Sequence, residues 1–63
     1  MNGIIKFYNT NKCYGFVIED ETKEEIFFHV TGLVDQKIMT DDVVSFDVEK
    51  TDRGKKAVNV YKR

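Results

Sequence analysis

The segment 25–30, Glu-Ile-Phe-Phe-His-Val, constrains the fold most, because as a strand it is apolar on both faces. Successive side chains of a β-strand point to opposite faces of a sheet. One face would hold Ile26, Phe28 and Val30, and the other would hold Phe27 and His29. Such a strand is normally covered on both sides, but a chain of 63 residues has nothing left to supply a second layer. We therefore predict that the face with Phe28 lines a small core and that Phe27 and His29 lie outside.

Four further segments have the composition of strands, and turn-forming residues separate them. They are residues 3–9, 14–19, 43–49 and 57–61, with a turn at 52–54. Residues 31–42 are less regular and indicate a loop with room for a helical turn. Five short strands without a convincing helix are typical of an all-β sandwich or barrel, and a closed barrel hides strand edges economically at this length. We predict a small all-β barrel of five antiparallel strands, in a single domain that spans residues 1–63.

The second strand carries a similar surface. Tyr14 and Phe16 alternate with Val17, so they point outward if Val17 points into the core. Together with Phe27 and His29 they would form an exposed aromatic cluster, and a cluster of this kind usually marks a binding site. Two lysines at its margin, Lys6 and Lys12, suit a polyanion whose bases stack on the rings.

Composition excludes several classes of protein. Cys13 is the only cysteine and His29 the only histidine, so the sequence allows no internal disulfide and no Cys₄ or Cys/His zinc site. A single cysteine favours a reducing compartment, and no apolar run approaches the roughly 18–20 residues of a membrane span. We expect a cytoplasmic, monomeric protein with no membrane association, cofactor or metal. The net charge of −1 argues against nucleic-acid binding, yet base stacking needs π-faces more than positive charge.

Two motifs and the opening of the chain resemble the bacterial cold-shock proteins and the related cold-shock domain. Residues 12–17, Lys-Cys-Tyr-Gly-Phe-Val, resemble the first ribonucleoprotein motif of that family, Lys-Gly-Phe/Tyr-Gly-Phe-Ile/Val. Residues 26–30, Ile-Phe-Phe-His-Val, resemble the second motif, Val-Phe-Val-His-Phe, and residues 6–9 resemble the opening Lys-Trp-Phe-Asn. The resemblance spans the whole chain. It implies an OB-type barrel that binds single-stranded RNA or DNA without catalysis and without a small-molecule substrate.

The resemblance also implies a set of binding residues and a role. Stacking residues would be Phe7, Tyr14, Phe16, Phe27 and His29, polar contacts would come from Lys6, Asn9, Lys12 and Arg53, and Val30 occupies the position of a further aromatic. Alternation alone cannot choose between Phe7 and Tyr8, so the outward assignment of Phe7 depends on the resemblance. The implied role is that of an RNA chaperone that acts on pyrimidine-rich single strands in transcription antitermination or translation.

Four departures from the family pattern predict weaker binding. Phe7 replaces a tryptophan and Val30 replaces an aromatic, which reduces the stacking surface. The loop 31–42 is shorter than usual and has no aromatic residue. Cys13 replaces a glycine, and this substitution is destabilising if the position requires a positive φ angle.

Other interpretations stay open at this point. The aromatic side chains of the second and third strands could simply be core. A small barrel resembling an SH3 domain could bind a peptide through the same rings, although this leaves the two motifs and the flanking lysines unexplained. An enzyme is the most distant alternative, because His29 has no evident nucleophilic partner and the sequence has no glycine-rich phosphate loop.

Overall fold

The computed structural model describes residues 1–35 and 37–63 and contains five strands. These are Asn2–Asn9 (β1), Tyr14–Glu19 (β2), Glu25–His29 (β3), Val43–Thr51 (β4) and Gly54–Lys62 (β5). A 3₁₀ turn at Val30–Gly32 follows β3, so this strand ends one residue earlier than predicted. β5 begins three residues earlier than predicted, because its pairing with β4 continues to Thr51 and Gly54 around a two-residue turn.

The strands form a closed barrel in the order β1-β2-β3-β5-β4, which confirms the predicted five-stranded all-β architecture. β1–β2, β2–β3, β4–β5 and β1–β4 pair antiparallel, and β3 pairs with β5 in parallel. A closed ring with an odd number of strands cannot alternate direction throughout, so at least one neighbouring pair must be parallel. A parallel pair also needs a crossover. The connection from β3 to β5 runs through β4, and Leu33 forms a bridge with Val60 near its beginning.

Apart from the side chain of Glu19, the buried side chains of the barrel are apolar. The buried hydrophobic residues are Ile5, Val17, Ile26, Phe28, Leu33, Ile38, Val44, Phe46, Ala57 and Val60. Val17, Ile26 and Phe28 are among them, as the alternation in the second and third strands predicts. Within residues 1–35 and 37–63 no helix has the length and apolar character needed to cross a membrane.

Candidate nucleic-acid interface

Four aromatic rings lie in contact on the outer face of β1, β2 and β3. We refer to Phe7, Tyr14, Phe16 and Phe27 as the aromatic platform. The ring centroid of Tyr14 lies 6.0 Å from Phe7, 6.1 Å from Phe16 and 5.9 Å from Phe27, and its plane is within 24° of that of Phe27. Phe16 and Phe27 meet edge to face at 6.1 Å. These separations lie in the range of favourable aromatic pairs, so the rings support one another while one side of the cluster meets solvent.

The register between β2 and β3 places these rings outside. Phe16 pairs with Phe27, and the next pair along the ladder, Val17 with Ile26, is buried. Directly opposite residues of a ladder share one face of the sheet, and the next pair lies on the other face. Phe27 is 38% exposed, whereas its neighbour Phe28 is fully buried. The aromatic side chains of the motifs are therefore divided between platform and core, and the interpretation that all of them form core is wrong.

Phe7 joins the platform because β1 contains a bulge. The register between β1 and β2 shifts between Ile5 and Phe7, so Lys6 is the extra residue and Phe7 lies opposite Phe16. A bulge resets the alternation of side chains along the strand. As a result Ile5 and Tyr8 both face inward, Tyr8 packs on the ring of Phe28 at 5.4 Å, and Phe7 is left 42% exposed. The outward assignment of Phe7 is thus confirmed.

Gly15 separates the two β2 rings and has no room for a side chain. A Cβ atom there would lie 2.2 Å from the carbonyl oxygen of Phe7 and 2.6 Å from Cζ of Phe28. The core ring of Phe28 therefore occupies the space beneath the platform, between Tyr14 and Phe16. A glycine at this position allows β1, β2 and the buried ring to approach closely enough for the platform to form.

The β1–β2 turn orients Tyr14 and contains a strained residue. Cys13 has φ = 61°, in the left-handed region that favours glycine. Cysteine in place of glycine is therefore destabilising at this position. Its carbonyl accepts a hydrogen bond from the Val30 N–H at 2.8 Å, which connects the turn to the end of β3. The side-chain oxygen of Asn9 accepts hydrogen bonds from the N–H groups of Asn11 and Lys12 at 3.0 and 3.1 Å. Asn9 therefore shapes the turn, and Lys12 is exposed within it.

His29 lies at the end of β3, directly opposite Tyr14. Its Nδ1 accepts a hydrogen bond from the Thr31 N–H at 3.2 Å and lies 3.0 Å from the Thr31 hydroxyl. This arrangement caps the 3₁₀ turn and holds the exposed imidazole at the edge of the platform. Val30, by contrast, is half-buried and packs against the core.

Basic residues surround the platform, and three of the lysines have carboxylate partners. Lys6, beside Phe7, lies 3.2 Å from Glu25. The pairs Lys55–Glu24 and Lys56–Glu49 have N···O distances of 3.2 and 3.9 Å. Beside Phe27 is a cavity of about 590 Å³, here called the basic groove, which is lined by Phe27, Thr51, Asp52, Arg53, Lys55 and Lys56.

Sequence reasoning included Arg53 in the site but missed Lys55 and Lys56. They lie beside the platform because β3 and β5 form the parallel pair, in which Lys56 lies opposite Phe27. Strand alternation carries no information about which distant strand closes a barrel. The available signal is the cluster of basic residues near the end of the chain, to which Lys55 and Lys56 belong.

No group of three or more histidine, cysteine, aspartate or glutamate residues within the described ranges could hold a metal ion. The interface presents stacked rings with basic and polar residues at their margin. Aromatic faces of this kind receive nucleobases irrespective of their identity.

Comparison with known proteins points the same way. The family model described as the 'Cold-shock' DNA-binding domain matches residues 1–63. The cold shock-like protein CspB of Bacillus cereus is 37% identical over 65 residues, which cover 98% of each chain. The cold shock-like protein CspG of Escherichia coli K12 is 32% identical over 63 residues, or 95% of this chain and 90% of the relative. Y-box-binding protein 1 of Xenopus laevis is 31% identical over 65 residues, which cover 92% of this chain and 22% of that protein.

Proposed function

The chain belongs to the cold-shock domain family, whose members bind nucleic acids and are not enzymes, and on that premise we propose that it binds single-stranded RNA or DNA by stacking bases on the aromatic platform. The protein acts as a monomer in the cytoplasm on pyrimidine-rich strands. The observation that carries the proposal is the contact of four rings on one outer face, with Phe7 and Phe27 each about 40% exposed.

The geometry favours unpaired bases. A ring can reach the face of a base only when the base is splayed out of a helix, so a duplex offers the platform only its outer edges and phosphates. Each stacked base contributes about 1–3 kcal/mol of binding free energy, as measured by alanine substitution. Four rings therefore supply useful affinity even at a net charge of −1.

Residues at the margin supply the polar contacts. Lys6, Lys12 and Arg53 contact phosphates on different sides of the platform, while His29 stacks on or hydrogen-bonds to a base beyond Tyr14. Asn9 contributes mainly through the turn that it holds, since its side-chain oxygen is already used by two N–H groups. Val30 contributes little, because it is half-buried against the core.

Binding of this kind makes the protein an RNA chaperone. A ligand that binds only the unpaired state shifts the equilibrium between paired and unpaired RNA by mass action. Held in this state, a message stays open for translation, and a terminator hairpin does not form.

The experiment that tests the proposal compares single and double strands. The protein is titrated with an oligo-dT strand and, separately, with the duplex that this strand forms with oligo-dA. Binding is followed by the quenching of tyrosine fluorescence. We expect saturable quenching by the single strand and binding at least about tenfold weaker to the duplex. Equal affinity for both would contradict the proposal, and no binding of either at tens of micromolar strand would favour the peptide-binding barrel instead.

A further inference from the structure

Two lysines beside the platform are held by carboxylates of one hairpin. Lys6 precedes Phe7 on β1, and Lys55 lines the basic groove together with Phe27. Their partners Glu25 and Glu24 are consecutive residues at the beginning of β3, where the β2–β3 turn ends. The hairpin therefore places one negative charge against a cation on each side of the aromatic platform.

These ion pairs are open to competition. The side chains of Lys6 and Glu25 are 54% and 51% exposed, and those of Lys55 and Glu24 are each 47% exposed. Exposed pairs at 3.2 Å are weak and are screened by salt. A phosphate that approaches either lysine must nevertheless displace a carboxylate or share the cation with it, and less of its charge is then neutralised.

We propose that Glu24 and Glu25 are specificity determinants, which occupy Lys6 and Lys55 and thereby weaken attraction to phosphates relative to stacking on the platform. The inference depends on the proposed function in that the favoured ligand is a strand of unpaired bases. Its consequence is discrimination against polyanions that offer phosphates without accessible base faces, namely duplexes and inorganic polyphosphate.

The hairpin contains a matched control. Glu21 lies in the same turn and carries the same charge, but among the described residues it forms no ion pair with a lysine. Glu21→Gln therefore changes the net charge as Glu24→Gln or Glu25→Gln does, without releasing a lysine. Glutamine keeps the size of the side chain, and the pairs are exposed, so little loss of stability is expected in any of the three variants.

The test measures affinity against salt concentration for the wild type, the three single variants Glu21→Gln, Glu24→Gln and Glu25→Gln, and the double variant Glu24→Gln/Glu25→Gln. The ligands are oligo-dT and inorganic polyphosphate. For oligo-dT the slope of log K against log salt concentration changes by about −0.7 per additional phosphate neutralised. Because the double variant releases two lysines, its slope should be more negative by about 1.4. At low salt we expect about three- to tenfold tighter binding of polyphosphate by the double variant and a smaller gain for oligo-dT. Glu21→Gln should change the affinity for either ligand by no more than about twofold.

A further variant tests the pairing itself. In the Glu25→Gln background, Lys6→Gln should remove the gain, because the released lysine is the group that binds phosphate. The inference is overturned if the double variant matches the wild type in its affinity for polyphosphate, or if Glu21→Gln produces the same gain as Glu24→Gln or Glu25→Gln. Should the double variant fail to fold, each single variant is compared with Glu21→Gln on the same criteria. A wild type that binds no oligo-dT would overturn the proposed function, while the polyphosphate titrations would still decide whether the carboxylates mask the lysines.

Discussion

Phe16 on β2 lies directly opposite Phe27 on β3, and the two rings meet at 6.1 Å on the outer face of the barrel. One step along the ladder, Val17 lies opposite Ile26 in the fully enclosed core. The same pair of strands therefore supplies a solvent-facing aromatic surface and part of the hydrophobic core. Mutations on its two faces should have separable effects on binding and on folding.

Phe27→Ala should weaken single-strand binding with little loss of stability. Phe27 is partly exposed and contacts Tyr14 and Phe16 on the platform, so its removal should cost about 1–3 kcal/mol of binding free energy, or about 5- to 150-fold in Kd. Phe28→Ala is the matched control, because this neighbouring ring is fully buried and its loss should lower the free energy of unfolding by about 3–5 kcal/mol. Urea denaturation and oligo-dT titration distinguish the two effects. Similar destabilisation by both substitutions would contradict the division of faces.

Cys13→Gly should stabilise the protein. Cys13 has φ = 61°, and glycine relieves the strain of this conformation. The free energy recovered exceeds the entropic cost of a more flexible unfolded chain, so we expect the free energy of unfolding to rise by up to about 1 kcal/mol. Cys13→Ala is the control, since alanine keeps the Cβ atom and with it the strain. The measurement is chemical denaturation under reducing conditions, and a lower stability for the glycine variant than for the alanine variant would refute the assignment of strain.

Phe7→Trp should tighten binding by about threefold, because a larger ring offers more stacking surface at an exposed position. Tyr8→Trp is the neighbouring control: Tyr8 packs on Phe28 beneath the platform, so a larger ring there should destabilise the barrel without improving affinity. Titration with oligo-dT and thermal unfolding of both variants make the comparison. The roles of Phe7 in stacking and of Tyr8 in packing would be contradicted if Tyr8→Trp bound oligo-dT more tightly than the wild type, or if Phe7→Trp did not.

Much of the interface could be predicted from local pattern. Strict alternation in β2 and β3 identified Phe16 and Phe27 as outward-facing and Val17 and Phe28 as core, because the two strands are antiparallel neighbours without a bulge between them. The choice between Phe7 and Tyr8 lay beyond alternation, since the bulge at Lys6 interrupts the two-residue period of β1. There the family resemblance, and not the periodicity, supplied the correct answer.

Contacts between distant segments could not be predicted in this way. Lys56 lies opposite Phe27 only because five strands close into a ring with one parallel pair, which no local pattern encodes. The ion pair of Lys55 with Glu24 depends on the same parallel pairing of β3 with β5. Lys6 and Glu25 lie on the two neighbours of β2, so their ion pair depends on side-chain conformation. The sequence shows an acidic run between β2 and β3, but the proximity of its last two glutamates to the lysines is apparent only in three dimensions.

Binding of single strands to the aromatic platform is tested most directly by a map of NMR chemical-shift perturbation on addition of oligo-dT or oligo-U. We expect the largest shifts to fall on the aromatic platform and His29, and smaller shifts at Arg53 in the basic groove. Ile4 and Val43, which are exposed and paired across β1 and β4, serve as the internal control for non-specific effects. Shifts centred on Ile4 and Val43, with the platform unchanged, would contradict the claim that single strands bind through these rings.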